Sequence, residues 1–193
     1  MKRLAVYCGS ATPADPRYID LAEDVGRTLA GEGIGIVYGG GRLGLMGAVA
    51  RAALAEGGEV IGVIPEALVS GEVANTDCTD LQVVANMHER KRRFTDLSDG
   101  FLTIPGGVGT MDELWEAVSW AQLGYHMKPV GVLNAFGYFD HLLAFNRHMA
   151  QVGFVRPVHQ GIILAETELS MLLGRMRAFE PSKPIFDMKA EDL

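Results

Sequence analysis

Short apolar runs alternate with longer segments of helical period along most of this chain. Leu4 to Cys8, Ile34 to Tyr38, Glu59 to Ile64, Leu81 to Ala85, Phe101 to Ile104, Pro129 to Leu133 and Ile162 to Ala165 are mostly aliphatic or aromatic and too short for helices. They read as strands. Between the first two, Ile19, Leu21, Ala22, Val25, Leu29 and Ala30 recur near helical spacing, which predicts a helix from Arg17 to Glu32 stopped by Gly31 and Gly33. Pro13 and Pro16 keep the residues before it out of helix. Further helices are predicted from about Leu45 to Glu56, Met87 to Leu97, Thr110 to Leu123, Tyr138 to Val152 and Glu168 to Phe179. Glu66 to Thr79 is polar and aperiodic and reads as a long surface connection. Strands that are apolar on both sides and alternate with helices predict an α/β fold, a mostly parallel sheet of about seven strands covered on both faces. One domain is expected over residues 1–180, with 181–193 as a tail.

In such sheets ligands bind beyond the carboxyl ends of the strands. Two glycine loops lie there, Gly39 to Gly44 and Gly106 to Gly109, together with Gly9-Ser10. The second loop passes into a helix at Thr110. Glycines let the backbone approach a phosphate, and the first N–H groups of a helix lack internal partners and sit at the positive end of its dipole. The junction is therefore a candidate anion site, to which Thr110 adds a hydroxyl. Glu113, one turn further, repels a phosphate unless it serves ribose hydroxyls or a developing cation; the alternative is that it only complements the helix dipole. Gly39, Gly41 and Gly44 satisfy GxGxxG, but the fingerprint normally follows the first strand and needs an acid about twenty residues on. Here the next strand ends at Ile64-Pro65, so a wall of a nucleotide site is favoured over a nicotinamide site.

Composition narrows the partners. A net charge of -7 argues against a nucleic-acid or anionic-membrane surface, because both need a basic footprint. Two cysteines, Cys8 and Cys78, suggest neither a disulfide framework nor a metal knuckle, so a reduced cytoplasmic setting is expected. No window approaches the ~20 apolar residues of a membrane span, and the opening apolar run is too short for a signal peptide. The five histidines show no metal-ligand spacing, Ser10 has no nucleophile elbow, and no Schiff-base lysine constellation for a pyridoxal enzyme is present. No metal or organic cofactor is implied.

Pro105 to Glu113 (PGGVGTMDE) fits the PGGxGTxxE signature of the LONELY GUY (LOG) family, and the segments VYCGS, VYGGGRLGLMG, VIGVIP, MHERK and WAQLGYHMKPV resemble family blocks in the family's order over about residues 3–165. The resemblance implies a Rossmann-like three-layer α/β/α fold that hydrolyses cytokinin riboside 5'-monophosphates, or AMP, to free base and ribose 5-phosphate. It further implies Arg90 and Glu113 as catalytic residues. Substrate contacts are implied at Glu72, Arg90, Lys91, Gly107, Val108, Gly109, Thr110, Met111, Asp112, Glu113 and Ser119, the last standing where the family more often has threonine. Val108 replaces a tyrosine common in plant members, which bears on base preference. A homodimer or larger homo-oligomer is implied, with the Arg90 helix near the interface. From the residues themselves, Arg90 to Arg93 form the densest positive run, and a guanidinium forks onto phosphate or a purine edge. Glu113, Glu116 and Ser119 or Trp120 recur at spacings of three and four, so Glu116 either borders the site or serves the surface or the helix dipole. Competing readings are a non-catalytic nucleotide-binding sensor and a nicotinamide-dependent oxidoreductase.

Overall fold

The computed structural model describes residues 1–69 and 74–186. Seven parallel strands form one sheet: β1 (Arg3–Tyr7), β2 (Gly35–Tyr38), β3 (Val60–Pro65), β4 (Asp80–Val84), β5 (Gly100–Thr103), β6 (Val130–Leu133) and β7 (Ile163–Glu166). Their spatial order is β4-β3-β2-β1-β5-β6-β7. The six helices are α1 (Arg17–Gly31), α2 (Gly44–Ala55), α3 (Met87–Leu97), α4 (Val108–Leu123), α5 (Asp140–Gln151) and α6 (Leu169–Arg177). Side chains alternate along each strand, so β1 sends Leu4 and Val6 into one core and Ala5 and Tyr7 into the other. The first core is closed by α1, α2 and α6; Phe94 of α3 and Leu114 and Ala117 of α4 close the second. The expected parallel three-layer α/β/α fold is therefore observed, with every strand pair parallel.

The chain winds outward from β1 to β4 on one side, then returns to the other side of β1 with β5. That reversal opens a crevice between the loops after β1 and β5. Around it the helices are set by local chemistry. Asn86 caps α3, its Oδ1 accepting from Glu89 N–H at 2.9 Å, while Glu89 accepts from Ala85 N–H at 2.9 Å; this reciprocal cap holds a strongly polar helix in place. At the other end of α3, the Lys128 ammonium donates to the Ser98 carbonyl at 2.6 Å and to the Thr95 carbonyl. A cation there complements the negative end of the helix dipole.

Two expectations change. The connection 66–79 is not wholly at the surface, because Asn75 is buried, donates to the Tyr38 hydroxyl at 3.0 Å, and accompanies a bridge between Gly41 and Ala74. The expected tail begins attached: Ile185 N–H donates to the Gln122 carbonyl at 2.9 Å, and the Lys183 carbonyl lies 3.0 Å from His159 Nε2.

One core histidine ties stability to pH. His126 packs on Phe101 with ring centroids 4.8 Å apart; its Nδ1 accepts from Lys128 N–H at 3.2 Å, and its Nε2 lies 2.9 Å from the Ala117 carbonyl. Burial lowers its pKa to about 4, the Ala117 hydrogen bond opposing and Lys128 assisting. The folded ring is thus neutral where the unfolded ring, near 6.5, takes up a proton. Stability is expected to be lost as pH falls from about 6.5 towards 4, by roughly 2 kcal/mol between pH 7 and 5. Urea midpoints measured across that range test this, and His126→Gln flattens the slope.

Candidate active site

A cavity of about 220 Å³ occupies the crevice, lined by Cys8 to Ala11 after β1, Gly39 after β2, Met46 of α2, Arg90 of α3, and Gly107, Val108, Gly109, Thr110 and Glu113 of the β5–α4 junction. Helix α4 begins at Val108, two residues before the sequence suggests, because Gly107 takes the extended N-cap conformation (φ -92°, ψ -154°) and its carbonyl accepts from Met111 N–H at 3.1 Å. Val108, Gly109 and Thr110 therefore occupy the first helical turn, where N–H groups have no intrahelical acceptor. They converge on the cavity. Thr110 is buried and its hydroxyl sits against Gly106, where an added Cβ would lie 2.1 Å from Thr110 Oγ1 and 2.7 Å from Gly9 N. Only a glycine lets the two loops meet this closely, and Gly9 N–H ties them by donating to the Pro105 carbonyl at 3.1 Å.

Arg90 is the buried cation of the site. Its Nε donates to the Val63 carbonyl at 3.2 Å, its Nη2 donates to the Gly39 carbonyl at 3.3 Å, and Nη2 lies 3.8 Å from Glu113 Oε1. The guanidinium carbon stands 5.4 Å from the Phe94 ring centroid, a cation–π contact. Gly39 makes this position possible, since a Cβ there would lie 2.1 Å from Arg90 Nη2. The first glycine of the GxGxxG run thus makes room for a side chain of the protein itself. The sequence contained both residues but no sign that they meet.

Other expected site residues distribute unevenly. Lys91 points away from the cavity and bridges Asp112 and Glu116 at 2.9 Å each. Burial pulls its pKa down, but the two carboxylate hydrogen bonds outweigh it and leave the net shift upward. Asp112 and Glu116 thereby join α3 to α4, and of the two readings of Glu116 the one away from the cavity is the one observed. Met111 is partly buried against the second core and does not line the cavity. Ser119 lines a separate cavity of about 290 Å³ with Trp115, Val118, Gln122 and Phe145. The reason is helical phase: steps of three residues each fall ~60° short of a full turn, so two of them carry Ser119 ~120° away from Glu113. Glu72 lies among residues 70–73, outside the described part of the structure.

Cys8 lines the cavity, but burial raises its thiol pKa, Glu113 adding to the shift and Arg90 opposing it, so it remains protonated and a poor nucleophile. No lysine lines the cavity among the described residues. The arrangement pairs first-turn amides, which suit an anion, with a carboxylate and a buried guanidinium one helical turn deeper. It suits a phosphorylated sugar whose reacting carbon faces Glu113.

Comparison with known proteins agrees in scope. A family model described as "possible lysine decarboxylase" matches residues 46–176. The cytokinin riboside 5'-monophosphate phosphoribohydrolases LOG5 and LOG7 of Arabidopsis thaliana are each 40% identical over 180 residues, covering 93% of this chain and 79% and 83% of theirs. Among solved structures, TM1055 aligns with a TM-score of 0.67 at 21% identity, covering 93% of this chain and all of that one. The molybdenum cofactor carrier protein of Chlamydomonas reinhardtii aligns at 0.68 and 17% identity, covering 92% of this chain and 98% of its own; both likenesses show the fold alone.

Proposed function

Because the chain belongs to the LONELY GUY family and is a phosphoribohydrolase, we propose that it cleaves the N-glycosidic bond of AMP or a prenylated adenosine monophosphate, releasing free base and ribose 5-phosphate. The observation that carries the choice of bond is the placing of Glu113 one turn below the amides of residues 108–110, with Arg90 at its side. From Gly109 to Glu113 the helix rises ~6 Å, about the span of a ribose. A 5'-phosphate on the amides thus brings the anomeric carbon over the carboxylate, and binding far from the reacting carbon orients it.

As the bond to the base breaks, the sugar gains oxocarbenium character. Glu113 either stabilises that charge or takes a proton from the attacking water, whose oxygen bonds to the anomeric carbon while the base leaves with the bonding electron pair and is protonated. Arg90, 3.8 Å from the Glu113 carboxylate, offers its donors to the phosphate or departing base. The enclosed 220 Å³ is smaller than the roughly 300–1,000 Å³ of whole-ligand sites. A volume of that size suits the sugar phosphate, with the base at the mouth, where Val108 is 88% exposed. Lys91 and Ser119 act outside this pocket. Glu72 is kept as a substrate contact by resemblance alone.

Incubation with AMP and with isopentenyladenosine monophosphate, followed by chromatography of the bases, tests the reading. Free base is expected from at least one; intact nucleotide in both tubes at high enzyme concentration overturns hydrolysis, and binding without release identifies a sensor. We also propose a homodimer in the cytoplasm. Exposed Phe145, Val152, Phe154 and Val158 on and after α5 supply apolar surface for self-association, and Cys8 and Cys78 are both free. Light scattering reads the first of these.

A further inference from the structure

We infer that Tyr138 is a positioning residue that orients the Gly106–Gly107 peptide so that the Gly107 N–H joins the phosphate-binding amides. The inference rests on the anion site proposed above. Tyr138 follows β6, on a different crossover from the glycine loop, and its hydroxyl donates to the Gly106 carbonyl at 2.6 Å. The C=O and N–H of one trans peptide point in opposite directions. A carbonyl held towards Tyr138 therefore turns the Gly107 N–H the other way, and Gly107 lies on the boundary between the phosphate cavity and the small apolar pocket that Tyr138 lines. A peptide between two glycines has little steric resistance to flipping over. The Tyr138 hydroxyl supplies the missing constraint.

The tyrosine is itself braced. Its ring meets Tyr18 and Phe139 edge-on, with centroids 5.7 and 4.9 Å apart. Phe136, two residues earlier, adopts φ +58°, a left-handed conformation that a bulky residue rarely takes, beneath the Arg17 guanidinium at 4.8 Å from the ring. Asn134 fixes the segment from both ends: Oδ1 accepts from Phe139 N–H at 2.7 Å, and Nδ2 donates to Asp140 Oδ1 at 2.8 Å. Backbone strain of this kind persists only where surroundings over-determine it, and it clusters near functional sites. Here its product is a phenol aimed at one carbonyl of the glycine loop.

Tyr138→Phe removes the hydroxyl and keeps the ring cluster. Titration of wild type and variant with ribose 5-phosphate, followed by calorimetry and by amide NMR, is expected to show affinity reduced roughly five- to tenfold. The ligand-induced shift of the Gly107 amide should collapse while that of Thr110 persists. With AMP as substrate the loss falls on KM and not on kcat. Unchanged affinity, or equal loss of response at Gly107 and Thr110, overturns the inference. Because ribose 5-phosphate binding needs no turnover, a wild type that binds it without hydrolysing either AMP or isopentenyladenosine monophosphate sinks the proposed function and leaves this inference standing, whereas a wild type that does not bind it overturns both.

Discussion

Glu113→Gln is expected to lower turnover of AMP by about a thousandfold or more while leaving nucleotide binding measurable by calorimetry. Glutamine keeps the shape of the side chain and its reach towards Arg90, but it has neither the charge to stabilise an oxocarbenium ion nor the basicity to accept a proton from water. General base catalysis is typically worth 10²- to 10⁴-fold, and electrostatic stabilisation of a developing charge is of similar size. Removal of both by one substitution therefore gives the largest kinetic effect in the site. The proposed phosphate contacts, from backbone amides of residues 108–110, are untouched, so the dissociation constant should change little or tighten as like-charge repulsion is relieved. Turnover within tenfold of wild type would remove the carboxylate from the chemistry and return it to complementing the helix dipole.

The second large effect is expected at Arg90. Arg90→Lys should reduce kcat/KM by roughly a hundredfold, because an ammonium cannot reproduce the fork that reaches the Val63 carbonyl, the Gly39 carbonyl and the Glu113 side chain together. Arg90→Ala goes further: it leaves buried carbonyls without a donor and opens space beside Gly39, costing about 1–3 kcal/mol of stability for each unsatisfied group besides the catalytic loss. Melting curves separate the two contributions. Added guanidinium ion, which fits the vacated space, should restore part of the activity of the alanine variant. A mild kinetic effect of both substitutions would make Arg90 a structural cation only.

How far these residues were legible in sequence depended on whether the signal was local. The strand runs and the helix-capping glycine loop are local, and the seven strands, the parallel architecture and the glycine turn that opens α4 follow from them. The start of α4 was misplaced by two residues because Gly107, with no side chain, caps by conformation alone. Lys91 and Ser119 were drawn into the site by a linear motif. Long-range ion pairing turns the first away from the cavity, and helical phase the second. The meeting of Gly39 with Arg90, 51 residues apart, leaves no trace in spacing; a glycine fingerprint that does not follow the first strand was its only hint. Tyr138 was equally silent, since its partner is a backbone carbonyl on another crossover.

The absence of a methyl group at position 39 has a kinetic corollary. Main-chain oxygens of β3 and of the loop after β2 grip the guanidinium, so its positive charge has a place set by the protein's own backbone. On the proposed function, an entering phosphorylated sugar meets this part of the field fixed in advance, and its capture should not wait on the ordering of that charge.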